Sequence, residues 1–101
     1  MEKIKWVVET MWDEVDMAKH YAKAAIRYRD TDKDLSELCI VLSKQELEHC
    51  DKLHGHVTRI IREHKAAGHE PPVAMMSIWE YEHEKIMCHY AKVKGMLETL
   101  K

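Results

Sequence analysis

The sequence predicts an all-α fold, three long antiparallel helices joined by short turns. Two observations carry that expectation. Ala, Leu, Met, Glu and Lys are abundant while Gly occurs three times, Pro twice and Phe never, and apolar residues recur at spacings of three and four with no β-branched alternation of useful length.

Helix 1 is expected from about residue 3 to 29, because Ile4, Val7, Met11, Glu14, Ala18, Tyr21, Ala25 and Tyr28 fall on one face. Glu14 is the misfit among them. The polar break DTDKD, Asp30 to Asp34, reads as a turn, and Asp34 with Glu37 has the D-x-x-E form of a capping box. Helix 2, about 35 to 67, carries Leu35, Leu38, Leu42, Glu46, His49, Leu53, His56, Ile60 and Glu63 on one face, and Gly68 with Pro71 and Pro72 stops it. Gly55, in mid-helix, marks a close helix contact or a bend. Helix 3, about 72 to 99, opens near Pro72, or at Ser77 if SIWE caps it. It carries Trp79, His83, Ile86, Tyr90, Val93, Leu97 and Leu100, against a competing stripe through Ile78, Glu82, Ile86, His89, Val93 and Met96. Residues 1–101 thus form a single helical domain. KHYAKAA from Lys19 and CHYAKVK from Cys88 form a faint internal repeat that aligns Glu14 with His83 and Tyr21 with Tyr90.

Charge excludes several function classes. Sixteen basic residues are scattered among eighteen acidic ones for a net charge of −2, so there is no basic patch for nucleic acid or an anionic membrane. The charged N-terminal segment does not read as a signal peptide and no apolar run is long enough for a membrane span, which makes the cytoplasm the expected compartment. Cys39, Cys50 and Cys88 form no C-x-x-C pair and read as free thiols. Trp6, Trp12, Trp79 and the methionines read as core and interface packing. His54, His56, His20, His64 and His69 read as surface or turn residues.

The candidate chemistry lies in QELEHCDKL, Gln45 to Leu53. Its Glu46 and His49 sit three residues apart, on one helix face, among leucines. An unpaired ionised carboxylate is expensive to bury, so a cation or a metal is the usual compensation. Counting outward from a turn centred near residue 32, Glu14 stands opposite residue 50, at the height of Glu46 and His49. Two carboxylates and an imidazole converging there repel unless something positive lies between them, and this donor set suits iron, manganese or zinc. The competing reading pairs Glu46 with a Lys or Arg, leaves His49 as a core histidine and makes the chain a metal-free helical module for interaction or structure. A second ligand-rich patch, Glu80, Glu82, His83, Glu84 and His89, lies on helix 3, with Glu80 and His83 repeating E-x-x-H. A turn centred near residue 70 sets His89 opposite residue 51.

From Glu14 to Ile61 the sequence resembles the first helical pair of ferritin-like proteins, in particular the rubrerythrin branch: a glutamate followed by small residues and a tyrosine, then E-x-x-H. The resemblance implies Glu14 and Glu46 as carboxylate ligands, His49 as a terminal ligand and Tyr21 as a hydrogen-bond partner behind them. It implies a di-iron or di-manganese centre within four helices, oxidising ferrous iron or reducing peroxide. A whole ferritin-like domain has four helices and a second set of ligands, whereas three helices are expected here. A two-fold dimer supplies the missing half, as in encapsulated ferritins, giving four carboxylates and two imidazoles; helix 3 is the weaker source. The expected partners are therefore a second copy of the chain and an external electron donor.

Overall fold

The structure, a computed structural model, describes residues 2–70 and 72–101; Pro71, half of the expected helix stop, lies outside the described residues. Three helices account for nearly all of them: α1 (Glu2–Tyr28), α2 (Lys33–Ala66) and α3 (Val73–Glu98). They lie side by side in a body 57 × 19 × 18 Å. Pairings of Ser36 with Ala25 and Ser43 with Ala18 set α2 antiparallel to α1, and Tyr90 opposite Asp51 with His83 opposite His54 sets α3 antiparallel to α2.

The helix ends follow local chemistry. Asp32 is the N-cap of α2, its side chain accepting from the Leu35 amide at 3.1 Å. The cap therefore falls two residues before the expected Asp34, which sits in the first turn and complements the helix dipole. At the far end Gly68 adopts φ 85°, and the His69 and Gly68 amides donate to the carbonyls of His64 and Lys65, a Schellman closure that requires this left-handed residue. Pro72 precedes α3 without a side-chain cap, and Ser77 lies inside the helix rather than at its start. Gly55 marks no close helix contact: α2 runs on through it, and a Cβ added there meets no atom within 4 Å.

The core corrects the expected stripes of helices 1 and 2. On α1 the buried residues are Ile4, Val7, Met11, Val15, Ala18, Ala22 and Ala25, so Val15 and Ala22 take the places expected for Glu14 and Tyr21. On α2 they are Ser36, Cys39, Ser43, Leu47, Cys50 and Val57. This stripe is the expected one turned by one residue, about 100°. Small residues explain the rotation. Ala18, Ala22 and Ala25 let α2 approach closely, and the buried Ser36 and Ser43 hydroxyls donate to the Ala25 and Ala18 carbonyls at 2.6 and 2.7 Å. Each buried serine is therefore satisfied, and the bulkier leucines are turned outward. Leu38 is 53 % exposed and Leu35 38 %; on α1, Trp6 at 61 % and Met17 at 41 % also face out rather than filling the core.

On α3, Trp79, Ile86, Val93 and Leu97 are buried, the first of its two expected stripes. They close two apolar layers. One contains Met11, Cys50, Val57, Trp79 and Ile86, the other Val15, Ala18, Ala22, Leu47, Val93 and Leu97.

Candidate metal centre

Glu14 and Val15 are neighbours on α1, as are Glu46 and Leu47 on α2; with the valine and leucine in the core, the two glutamates emerge at the edge of the seam between the helices. One ligand atom from each of Glu14, Glu46 and His49 lies within 4.8 Å of the others, and among the described residues no other such group of three occurs. His49 Nδ1 is 3.3 Å from Glu14 Oε2 and 3.7 Å from Glu46 Oε2. The tautomer protonated at Nδ1 donates to Glu14.

The two carboxylates are about three-quarters covered, with side-chain exposures of 23 % and 22 %, whereas His49 is 51 % exposed. The expectation that Glu46 and His49 lie in the buried stripe of helix 2 is thus corrected. They stand beside it, on a face open to solvent, because the small-residue seam rotates α2.

Negative charge is crowded at this edge. The Glu46 carboxyl is pushed above the usual carboxylate range, first by the hydrogen bond it shares with Glu14, then by burial and by the Glu14 charge, with His49 pulling the other way. Among the described residues neither carboxylate has a Lys or Arg in salt-bridge range, so the alternative pairing for Glu46 is not formed and His49 is their compensation. A divalent ion meets this need better than a neutral imidazole, and two carboxylate oxygens with one imidazole nitrogen fit iron, manganese or zinc.

The helix 3 candidates are dispersed. Glu82 accepts from Trp12 Nε1 at 2.7 Å. His89 meets the Trp12 ring edge-on at 5.3 Å, with its buried Nδ1 unpartnered. His83 stacks on His54 of α2, which is half-buried rather than a free surface residue, and Glu80 and Glu84 are exposed. None of them reaches the Glu14 cluster. Tyr21 makes an edge contact with His20 and no hydrogen bond to the two carboxylates, so the role behind the ligands is not formed.

α1 and α2 also carry exposed apolar side chains, Trp6 and Met17 on the first and Leu35 and Leu38 on the second. α3 lies on the other side of this pair, where His54 meets His83 and Asp51 meets Tyr90. Hydrophobicity alone places Leu35 and Leu38 inside, whereas both face out. The signal for the true buried face of α2 is the series Ser36, Ser43, Cys50 and Val57, spaced seven residues apart and all buried.

No helix of the described residues is long and apolar enough to cross a membrane. Comparison with known protein families, with characterised proteins and with solved structures finds no match for this chain.

Proposed function

We propose that this chain is a ferritin-like carboxylate metal protein whose di-metal centre, of iron or manganese, is completed between two copies. One observation carries the reading: two partly covered carboxylates that, among the described residues, lack a Lys or Arg partner lie with an imidazole within 4.8 Å of one another at the edge of the α1 and α2 seam. A two-fold axis beside that edge buries Trp6, Met17, Leu35 and Leu38 against their equivalents and sets two Glu14, Glu46 and His49 groups facing each other. Four carboxylates and two imidazoles are a ligand set for two divalent ions.

A metal held there supplies redox chemistry toward oxygen or peroxide, for iron oxidation and storage or for peroxide reduction. The protein's own contribution is positional and electrostatic. Glu14 and Glu46 hold negative charge against the ions, His49 completes each shell, and the apolar side chains buried between the copies limit water. Without a C-x-x-C segment in this sequence, electrons come from a separate donor or from ferrous iron itself.

The test measures metal content and mass together in protein grown with iron. The expected result is a dimer with two metal ions, an empty Glu46→Ala variant, and a Leu38→Glu variant that stays helical but is monomeric and loses the paired centre. Fewer than about 0.2 ions per chain in the wild type, unchanged in Glu46→Ala, ends the metal reading and favours a metal-free interaction module. Full metal content in a monomeric Leu38→Glu variant ends the inter-chain arrangement.

A further inference from the structure

The seam between α2 and α3 is built differently from the one between α1 and α2. Instead of serine hydroxyls on alanines, it has an aromatic stack. The His54 and His83 rings lie 4.8 Å apart with their planes inclined by 27°, and Trp79 flanks both, 5.9 Å from His54 and 5.0 Å from His83. Next along this seam, Tyr90 donates to Asp51 at 2.9 Å.

Two imidazoles can stack in this way while at least one is neutral, since two imidazolium rings at this separation repel each other. The charged surroundings offer little relief. On α2, the carboxylate one turn before His54 is Asp51, already engaged by Tyr90. On α3, Glu80 precedes His83 by one turn and is exposed, and Glu82 is engaged by Trp12 on the α1 side. From α1, Ile4, Val7 and Met11 pack into this layer with Val8 and Trp12 beside them, and the charged groups that α1 brings to this end of α3 are Lys5 and Glu9, which line a cavity with Trp79 and Glu82 to which α2 contributes no residue. Burial, and then the neighbouring His54, hold His83 below the usual histidine range, and no carboxylate acts against them.

We propose that the His54 and His83 stack is a pH-responsive latch, in which neutral imidazoles hold the N-terminal half of α3 against α2 and protonation of both releases it. The sign follows from the lowered His83 value. Its contribution to docking is fully present above the ordinary histidine pKa of 6.5 and is lost as pH falls below it. Among the described residues the α1 and α2 seam contains no histidine pair, and His49 at its edge lies against the Glu14 and Glu46 carboxylates rather than another imidazole, so that hairpin stays closed while α3 loosens. This inference is independent of the metal reading, because neither ring belongs to the Glu14 cluster.

Hydrogen exchange on the full chain, treated with chelator and corrected for intrinsic rates, tests it between about pH 7.5 and about pH 5, a range spanning histidine titration. Amides of residues 73–87 should lose protection several-fold at the lower pH while those of residues 10–25 and 36–50 keep theirs. His83→Phe retains an aromatic ring without the proton and should abolish the response; His54→Phe serves the same purpose from α2 if the first variant does not fold. Unchanged protection of 73–87 in the wild type overturns the latch, and so does an equal response in the wild type and a folded Phe variant.

Discussion

Replacing Glu46 by Gln should stabilise the metal-free protein and destabilise the metal-loaded one. Without metal, Glu46 and Glu14 present carboxylate oxygens within 4.8 Å of each other. Two unit charges at that distance repel by about 1 kcal/mol under full water screening and by about 3.5 kcal/mol at an effective dielectric of about 20. His49 offsets part of this, and the side chains keep some solvent contact, which places the expected gain near the lower figure, about 1 kcal/mol. In a domain of this size that corresponds to a rise in melting temperature of about 4–8 °C. The gain should also depend on pH. The Glu46 carboxyl is raised above 4.5 in the folded chain, so its contribution to wild-type stability is complete below that value and disappears as pH rises through the raised one. The difference between variant and wild type therefore opens with increasing pH. With metal at a hundred times its dissociation constant, the wild type gains about 2.7 kcal/mol, a gain the variant should lose in large part. Thermal unfolding at fixed protein concentration, with chelator and then with ferrous iron under anaerobic conditions or with manganese, reads both arms. A variant less stable than the wild type in chelator, or a metal-induced rise of equal size in both proteins, refutes the reasoning.

Other expectations follow from the helices themselves. Gly55→Ala should add up to about 1 kcal/mol of stability by urea denaturation, since its added Cβ meets open space; a loss would reveal a contact at that position. Ser43→Ala should cost about 1 kcal/mol, because the hydroxyl is fully buried and donates to the Ala18 carbonyl at 2.7 Å, whereas a larger loss for Ser43→Leu would report the closeness of the helices. Thiol labelling should be fast at the exposed Cys88 and slow at the buried Cys39 and Cys50. Burial, with Asp51 and Glu14 nearby, pushes the Cys50 thiol up to about 11, so rapid labelling of Cys50 in the folded chain at neutral pH would contradict the packing.

The helical architecture was legible because helix formers dominate and the breaks are chemically distinct. Register was legible for a geometric reason. The turn between α1 and α2 is short, so counting outward from residue 32 puts Glu14 opposite position 50, and its ring contact is His49 at 3.3 Å. What hydrophobicity misreads is the face of α2. Leu35, Leu38 and Leu42 outweigh Ser36, Cys39 and Ser43 on any apolar scale, yet a serine can satisfy its hydroxyl on the carbonyl of the opposite helix and so enter a core that a leucine is too bulky to share. Periodicity and register therefore group Glu14, Glu46 and His49 but put Glu46 and His49 in the core, whereas the structure has them at its edge. The pairing of His54 with His83 was hidden for another reason: it depends on the lateral placement of α3, which no spacing within one helix encodes.

The alanines of α1 do more than fill a seam. Ala18 lies one turn beyond Glu14, and Ser43, which meets it, lies one turn before Glu46 and Leu47. The separation of the two carboxylates is thus set by the thickness of a methyl group and a hydroxyl a turn away. Ala18 acts as a spacer of fixed gauge: a bulkier residue there would wedge the helices apart and widen the gap between Glu14 and His49 while leaving every candidate ligand in place. A chain of this kind can lose its metal geometry through a substitution that touches none of its donor atoms.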